Sequence, residues 1–537
     1  MAPVSLPKGS KPGRVLELAS VVLAFGYLFL FLFHALQRVA YPFELEWMEG
    51  GALEHLQRVL RGEPLYATPS IEFVPFPYPP FYYYLAAALS PLTGAGFFTL
   101  RLISLVSSLA TSALIFRWVQ RDTQRTVLAA ASAATFLATW HASGLYFDVA
   151  RLDALFCALL LLWLYGLRFH RTERGLVFSG VVAFLAVMTK QTGAVVVAPV
   201  ALWCVFCDWR ASGRSFARFR EWSLTRFHVL PITVLGALGT LLLDGILDEN
   251  FLRHVVGAQQ QHGILPWKVG LFFGGDLLST LPVACLVVLG WLALRLGRAG
   301  TQGVRPDERA ASAGFHAVVL AGILLACLIP RIKVSGAANS LIPAYAWLAV
   351  SFGVGLGRLR AFAVARRPGL AAARLDAVVA FCCVVQLLLL FELPRGYLPT
   401  EADRAAGARF VEQLRRIDGE VLVPAQGYAA GLAGKRVYAH QMPVSHYAKS
   451  GLPEAPALQR EYEDAVRTRR FAVIVDSNTG FVRRYVGLDL LEENYEMAGW
   501  VFPDPDVFLP ISGAQIRPGK IWIRRAPDEA QATASGP

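Results

Sequence analysis

Three glutamates follow the first apolar run of the chain, at spacings that suit acid–base chemistry. Glu44, Glu46 and Glu49 stand in the stretch ELEWMEGG, directly after an apolar segment that ends near residue 37. A carboxylate held at an acceptor hydroxyl can act as a general base. Charges at a membrane boundary are functional candidates when they face a helix bundle. Glutamates beside a helix end are equally compatible with solvated charge.

A second polar group stands in the stretch YFDVARLDALF, at the start of another apolar run. Its charged members are Asp148, Arg151 and Asp153. Acidic residues favour the N-terminus of a helix, so both aspartates also fit a capping role. Two acidic residues and one basic residue at the start of a helix also make this group a candidate binding site.

Basic and amide side chains gather later in the chain. Lys190 and Gln191 stand in MTKQTG, and Arg331, Lys333 and Asn339 stand in PRIKVSGAANSLIPAY. Lysine and arginine can hold a leaving phosphate, whose negative charge grows in the transition state. The later pair of cations also fits contacts with lipid headgroups. An acidic early loop with basic later loops suits an acceptor that loses a proton and a donor that carries phosphate.

Aromatic residues lie close to the first glutamates. The segment from Gly51 to Gly62 has the apolar spacing of an amphipathic helix, which favours the plane of a membrane interface. The run FVPFPYPPFYYYL follows and includes Tyr78 and Tyr82. Tyrosine suits an interface, because its body is apolar and its tip is polar. The run therefore indicates an interface belt or a groove for a lipid tail.

The elements that must position these residues are membrane helices. The chain has 537 residues, 55% of them hydrophobic and 17% charged, with a mean hydropathy of +0.45. Soluble domains are about 45–50% apolar and about 25% charged. This composition excludes a soluble, disordered, collagenous or small disulfide-rich protein. Eleven segments are apolar enough to span a bilayer: 15–37, 97–118, 126–145, 154–169, 175–190, 192–207, 229–247, 271–294, 312–330, 340–357 and 374–393.

The distribution of lysine and arginine orients these spans. Short cytoplasmic loops carry the excess of both residues. With the N-terminus inside and residues 79–94 kept out of the membrane core, the inner loops hold 23 of them and the outer loops hold 10. We therefore predict that 79–94 is a juxtamembrane or re-entrant helix on the outer face. The net charge of +12 reflects this topology and not a nucleic-acid partner.

The chain divides into two predicted domains. Residues 1–394 form the membrane domain, with a first outer loop over 38–96. Residues 395–537 carry 18 basic and 18 acidic residues, strand-like runs at 421–424, 471–476 and 520–524, and a helical pattern over 403–417. This pattern predicts an α/β domain outside the membrane. The last ten or so residues are predicted to be disordered.

Cysteine and histidine add no site of their own. The seven cysteines lie in or beside apolar runs and are predicted to be free thiols. Cys204 and Cys207 form a CxxC without a strand or a second pair, which argues against a redox or zinc role. His141, His254 and His262 are too scattered for metal-ligand spacing.

Several motifs in one order resemble a known superfamily. An acidic stretch, ELEWMEGG, precedes LQRVLRGEPLY and FPYPPFYYYL. Then come LRLISLVSSL, which contains Arg101, DVARLDALF, MTKQTGAVV and NSLIPAYAW. Over residues 15–357 the chain resembles GT-C glycosyltransferases, in particular bacterial relatives of dolichyl-phosphate-mannose protein mannosyltransferases and of the lipid A aminoarabinose transferase. The fold it implies is an α-helical, polytopic GT-C membrane domain followed by a soluble α/β domain.

The resemblance implies an inverting sugar transfer from a polyprenyl-phosphate donor to an envelope acceptor, on the outer face of the inner membrane. The family's base corresponds to Glu46, with Glu44 next, although the family usually has aspartate there. Asp148 and Asp153 match a second acidic position that holds acceptor, donor or a divalent cation such as Mg or Mn. Lys190 and Lys333 would hold the donor phosphate.

The other predicted substrate-binding residues complete the expected site. They are Glu49, Tyr78, Tyr82, Arg101, Arg151, Gln191, Arg331 and Asn339.

Two other functions are compatible with the sequence. A transporter or flippase of a lipid-linked saccharide often shows inverted repeats and charges near the midplane. This chain shows no repeat, and its polar residues gather at one face. The second alternative is a scaffold that presents the C-terminal domain. It does not explain why the early loop is acidic and the later loops are basic. Glycosyl transfer is therefore the preferred hypothesis, and it leaves the sugar and the acceptor open.

Overall fold

A computed structural model gives the architecture of the chain. It describes residues 11–247, 250–257, 263–296, 313–366 and 372–526. The predicted disordered C-terminal residues, His262 and parts of two predicted cytoplasmic loops lie outside these ranges.

Long helices make up most of the first 389 residues, as the apolar runs predict. The α-helices of this part are α1 (Lys11–Arg38), α2 (Glu49–Arg61), α3 (Phe81–Thr93), α4 (Phe97–Thr123), α5 (Thr126–Ala138), α6 (Asp153–Phe169), α7 (Glu173–Thr189), α8 (Gly193–Ala211), α9 (Leu230–Leu242), α10 (Phe251–Val255), α11 (Trp267–Gly270), α12 (Pro282–Leu296), α13 (Ala313–Arg331), α14 (Ile342–Arg366) and α15 (Ala372–Leu389). Short 3₁₀ segments cover Phe216–Glu221 and Ala338–Leu341, and π-helical segments cover Thr225–Val229, Leu243–Leu247 and Leu271–Ser279.

Seven helices in the described ranges are long and apolar enough to cross a membrane, and a bent pair makes an eighth. Two predicted spans, α6 and α7, have 17 residues each, and α5 has 13. A helix rises about 1.5 Å per residue, so these three are shorter than a usual span. The multi-pass, helical architecture is confirmed, and the count of eleven spans stays a prediction.

Two predicted spans differ in shape from the expectation. The segment 271–294 is bent by 99° between Ser279 and Pro282. Proline has no backbone N–H and restricts the residue before it, so a helix breaks there. The segment 126–145 ends as a helix at Ala138 and continues as turns. That early end releases the chain that carries Tyr146, Asp148 and Arg151.

The core of the bundle is α14, which is buried from Ile342 to Leu356. It packs against α4, α5, α12 and α13. Its small residues permit close approach: a Cβ at Gly353 would lie within 2.7 Å of Val119 side-chain atoms in α4. The helices on either side of the segment that carries Lys333 and Asn339, α13 and α14, therefore pack in one core.

The first outer loop contains the two predicted helices. The amphipathic helix is α2, and Gly62 ends it in the left-handed conformation with φ 70°. The α3 helix covers Phe81–Thr93, inside the segment predicted to lie at the membrane surface. Its 13 residues are about 20 Å long at 1.5 Å per residue, which is shorter than a hydrocarbon core of about 30 Å.

The C-terminal part is an α/β unit with one mixed sheet. Its elements are α16 (Glu401–Arg415), β1 (Val421–Leu422), α17 (Gly427–Leu432), α18 (Gln441–Tyr447), α19 (Ala455–Arg467), β2 (Val473–Ser477), α20 (Phe481–Val486), α21 (Leu488–Asn494), β3 (Tyr495–Trp500) and β4 (Pro518–Arg524). The strand order is β1-β2-β4-β3, with β1 and β2 parallel and the other pairs antiparallel. Three of the strands match the predicted runs, and the sequence analysis missed β3.

The first outer loop packs into the core of this α/β unit. Ile71 and Val74 are buried among its apolar side chains. The amide of Ala439 donates to the Ile71 carbonyl at 3.0 Å, and the amide of Ile71 donates to Glu461 at 2.9 Å. The boundary at 394/395 therefore separates two regions that share a core, and the predicted domain division stays a prediction.

Candidate active site

A buried ion pair shapes the loop that carries the glutamates. Arg101 in α4 contacts both oxygens of Glu49, at 3.0 Å from Nε to Oε1 and 2.5 Å from Nη2 to Oε2, and neither side chain is exposed. The guanidinium also donates to the carbonyls of Tyr41 and Phe43, at 2.6 and 2.5 Å. Buried charges need this kind of pairing and hydrogen bonding. Glu49 and Arg101 therefore fix the backbone of residues 39–48.

Glu46 lies in the same loop with a different set of partners. Its Oε2 accepts from the Met48 amide at 3.1 Å and from Arg151 Nη1 at 3.2 Å. Its Oε1 accepts from the Tyr146 hydroxyl at 3.2 Å. The side chain has no exposed surface. The predicted reading of the glutamates as solvated charge is therefore wrong, because all three are buried.

Burial sets the proton affinity of this carboxyl group. It raises the pKa of Glu46 to about 7, against the lowering effect of the Arg151 charge. Burial raises the pKa of Glu44 well above its usual range, although its Oε1 accepts from the Gly50 amide at 2.8 Å. Its Oε2 has no hydrogen-bond partner among the described residues. Burial therefore favours the neutral form of both carboxyl groups, and the charge of Arg151 opposes this at Glu46.

A row of polar contacts leads away from Glu46, and we call it the polar chain: Glu46, Arg151, Asp153, Lys190 and Asn339. Arg151 Nε lies 3.9 Å from Asp153 Oδ2. Lys190 Nζ lies 2.6 Å from Asp153 Oδ1, and Asn339 Nδ2 donates to Asp153 Oδ2 at 3.1 Å. Residues from four separate loops therefore meet at one end of the helix bundle. A capping role for Asp153 is secondary to these side-chain contacts.

Tyr78 joins the polar chain through its hydroxyl, which accepts from Arg151 Nη2 at 3.1 Å. The Tyr66 hydroxyl donates to the Tyr78 carbonyl at 2.8 Å and fixes the aromatic run behind it. Tyr82, in contrast, is fully buried and donates to the Leu100 carbonyl at 3.0 Å. The structure therefore brings one of the two predicted tyrosines to the site and uses the other in packing.

Asp148 belongs to a different network from Asp153. It forms an ion pair with Arg38 at 3.1 Å, and Trp140 Nε1 donates to its Oδ1 at 3.1 Å. Both aspartates already face cationic side chains, which does not fit ligands of Mg or Mn. Among the described residues, no group of three histidine, cysteine or acidic side chains has the arrangement of a metal site. These two aspartates therefore do not fit the divalent cation that the resemblance allows.

Three more of the predicted binding residues lie outside the polar chain. Arg331 forms an ion pair with Asp276, at 2.7 and 2.9 Å. Lys333 lies in a backbone bridge with Ile264, and burial lowers the pKa of its ammonium group. Gln191 donates to the carbonyls of Pro77 and Val255, at 2.8 and 3.1 Å. Arg331 is therefore paired with Asp276 and not with the polar chain, although the sequence predicts it as a substrate-binding residue.

The seven cysteines, His141 and His254 are not members of the polar chain. The seven cysteines are free thiols, as predicted. His254 forms a hydrogen bond with the Tyr447 hydroxyl, and His141 lies 3.3 Å from Glu392. These contacts join the bundle to neighbouring segments.

Two residues next to Glu46, Tyr146 and Ser512, were not predicted as site residues. Tyr146 is the first residue of the stretch YFDVARLDALF, yet nothing in its spacing distinguishes it from other interface tyrosines. Ser512 forms a parallel backbone bridge with Glu46, although 466 residues separate them in sequence. No sequence pattern indicates such a contact, because it depends on how the α/β unit packs on the bundle.

Comparisons with known proteins agree with this architecture. Residues 77–231 match the family described as dolichyl-phosphate-mannose-protein mannosyltransferase. This match covers α3 to α8 and the loop of the second acidic group. No curated protein sequence matches the chain significantly.

Solved structures share the fold over nearly the whole chain. The apo structure of ArnT from Cupriavidus metallidurans is similar with a TM-score of 0.54 and 14% identity, over 96% of this chain and 99% of that chain. ArnT from the same organism bound to undecaprenyl phosphate gives 0.52 and 14%, over 98% and 100%. An oligosaccharyltransferase from Archaeoglobus fulgidus, tethered to an acceptor peptide, gives 0.50 and 10%, over 90% and 72%. The predicted GT-C fold is confirmed.

Proposed function

We propose that the chain is a membrane glycosyltransferase that moves a sugar from a polyprenyl-phosphate donor to an acceptor in the cell envelope. The observation that carries the proposal is Glu46, a buried carboxyl with a pKa of about 7, beside Arg151 at the head of the polar chain. The match to a mannosyltransferase family and the fold shared with ArnT, which has been solved with undecaprenyl phosphate, support this class of donor.

The proposed reaction is a single displacement with inversion at the anomeric carbon. The Glu46 carboxylate takes the proton of the acceptor hydroxyl as its oxygen bonds to the anomeric carbon. The bond from that carbon to the phosphate oxygen breaks, and its electron pair stays on the phosphate. The leaving group gains a negative charge, and we assign its stabilisation to Lys190 and Arg151, the two cations of the polar chain. The product is a free polyprenyl phosphate.

Orientation in the membrane follows from the charge distribution. The proposed site lies on the outer face of the inner membrane, with the N-terminus in the cytoplasm and the α/β unit outside. The excess of basic residues in the predicted inner loops supports this assignment. The donor is expected to reach the site from the lipid phase, along the aromatic segment that includes Tyr78.

A pair of matched substitutions tests the proposal. Purified chain in lipid nanodiscs is incubated with synthetic polyprenyl-phosphate hexoses and pentoses and with an envelope extract, and released polyprenyl phosphate is measured by mass spectrometry. We expect Glu46→Gln to lower the rate by about 10²–10⁴-fold, because the base is removed. Glu44→Gln is the control: it replaces a neighbouring buried carboxyl, which forms no hydrogen bond with the described side chains of Arg151 and Tyr146, by an amide of similar shape, and we expect a change of less than about threefold.

Three results would contradict the proposal. One is donor consumption by the Glu46→Gln variant at the rate of the unchanged chain. Another is an equal loss in both variants. The third is an unchanged chain that releases no polyprenyl phosphate from any donor in the panel.

A further inference from the structure

A segment of the α/β unit lies directly against the loop of the proposed base. We call residues 510–514 the strap. The Ser512 amide donates to the Leu45 carbonyl at 3.0 Å, and its hydroxyl donates to the Gly144 carbonyl at 2.6 Å. Ser512 therefore joins the loop that carries Glu46 to the loop that carries its hydrogen-bond donor Tyr146.

The next residue of the strap covers the Glu46 carboxylate. A Cβ atom at Gly513 would lie 2.6 Å from Glu46 Oε1, 2.8 Å from Trp47 Cδ1 and 2.9 Å from the Tyr146 hydroxyl. Its φ of +75° is also a conformation that favours glycine. Gly513 is exposed on its other side, whereas Glu46 has no exposed surface. The backbone at Gly513 is therefore a thin layer between Oε1 and the surface of the molecule.

We propose that the strap is part of the active site, where Ser512 positions the loop of the base and Gly513 keeps water away from Glu46 Oε1. The inference rests on the proposed function, because it assigns a purpose to the contact only if Glu46 is the base. It makes the α/β unit a necessary part of the catalytic machinery, since a bundle without the strap would leave Oε1 uncovered.

The electrostatics of the site agree with this role. Besides the strap, the groups that face Glu46 are Arg151, Tyr146, Glu49 and Glu44, and His440 contacts the neighbouring Trp47. The strap brings no titratable group among them. Its effect on Glu46 is therefore through dehydration, which is the largest cause of the raised pKa. A displaced strap would admit water and bring that pKa down towards its ordinary value.

The test compares two glycines of the α/β unit whose φ angles are nearly equal, +75° at Gly513 and +76° at Gly434. Gly513→Ala places a methyl group against Glu46. Gly434→Ala is the matched control, because Gly434 has a φ of +76° and nothing within 4 Å of the added Cβ. Both variants carry the same backbone strain. The full chain is assayed in nanodiscs for kcat and for KM of the donor, between pH 5 and pH 9.

We expect Gly513→Ala to lower kcat by about 10–100-fold with the donor KM within about twofold, since small misplacements of a catalytic group cost this much. The acid limb of its pH profile should move below that of the unchanged chain. Gly434→Ala should match the unchanged chain in both respects. If Gly513→Ala equals Gly434→Ala in kcat and in pH profile, the inference is wrong.

A second variant covers the case in which Gly513→Ala does not fold. Ser512→Ala removes only the hydrogen bond to the Gly144 carbonyl. It should lower kcat by about three- to tenfold and move the acid limb in the same direction. An unchanged acid limb in Ser512→Ala would overturn the inference. Failure of the proposed function is separate, because the unchanged chain itself would then release no polyprenyl phosphate.

Discussion

Glu46 and Glu49 lie three residues apart in one loop, and neither has exposed surface, yet their surroundings differ. Glu49 accepts four hydrogen bonds of 2.5–3.0 Å, two from Arg101 and one each from the amides of Leu45 and Ala150. Glu46 accepts three longer bonds, of 3.1–3.2 Å, from two side chains and one amide. The same residue type is held firmly in one position and loosely in the other.

This difference separates an anchor from a reactive group. Short, charge-assisted hydrogen bonds from several directions hold a carboxylate in place and leave it no free lone pair. Fewer and longer bonds in a buried site leave the desolvation of Glu46 partly uncompensated, so its pKa rises to about 7. A carboxyl that gains and loses a proton near neutral pH suits general base catalysis. Burial alone therefore does not identify the base, and the number and length of its bonds do.

The largest expected effect comes from breaking the anchor. Arg101→Gln leaves Glu49 buried without its charge partner, and we expect a loss of about 3–5 kcal/mol in the free energy of unfolding. An SDS unfolding titration of the purified chain measures it. Arg61→Gln is the control, because Arg61 pairs with Glu63 on the surface, and such pairs contribute less than about 1 kcal/mol. Equal stability of the two variants would contradict the anchor role.

A smaller effect is expected from the partner of the base. Arg151 favours the charged form of Glu46, so Arg151→Gln should raise the pKa of Glu46 above about 7. A base works only when deprotonated, so the acid limb of kcat/KM should move to higher pH. Activity at neutral pH should fall by about 10–100-fold and recover in part under alkaline conditions. A pH–rate profile measures both changes.

The control for this shift is Arg253→Gln. Arg253 in α10 forms an ion pair with Glu454 of the α/β unit, and the Arg253 side chain is half-exposed. Its loss should leave the acid limb in place. An acid limb that moves to lower pH in Arg151→Gln would show that Arg151 does not act on the base through its charge.

The smallest effect should come from a single neutral donor. Tyr146→Phe removes one hydrogen bond of 3.2 Å to Glu46 Oε1, and we expect a loss of about 1 kcal/mol, or roughly fivefold in rate. Tyr82→Phe removes a hydroxyl that donates to the Leu100 carbonyl, and it should leave the rate unchanged. Rate assays at the pH optimum distinguish them. A larger loss of rate in Tyr82→Phe than in Tyr146→Phe would show that Tyr82 belongs to the active site.

Local patterns in the sequence predicted much of the architecture. The amphipathic spacing before Gly62 gave the helix α2, and apolar length gave the long helices of the bundle. Secondary structure was predicted less accurately where contacts between distant residues determine it. The exposed strand β3 has no alternating apolar pattern to reveal it. Strands at a sheet edge are stabilised by pairing, which the sequence alone does not display. The bend of the span 271–294 had a local signal, Pro282 itself.

The sequence by itself determined the class of the protein and the side of the bundle where its charges collect. Composition and the spacing of apolar residues are properties of the chain itself, so they can be analysed without a structure. The resemblance already favoured Glu46 as the base, but tertiary structure alone showed that Arg101 holds Glu49 and that Arg151 and Tyr146 contact Glu46. Hydrogen bonding and burial at a carboxyl depend on distant residues, such as Arg101, Arg151 and Ser512, that only folding brings together.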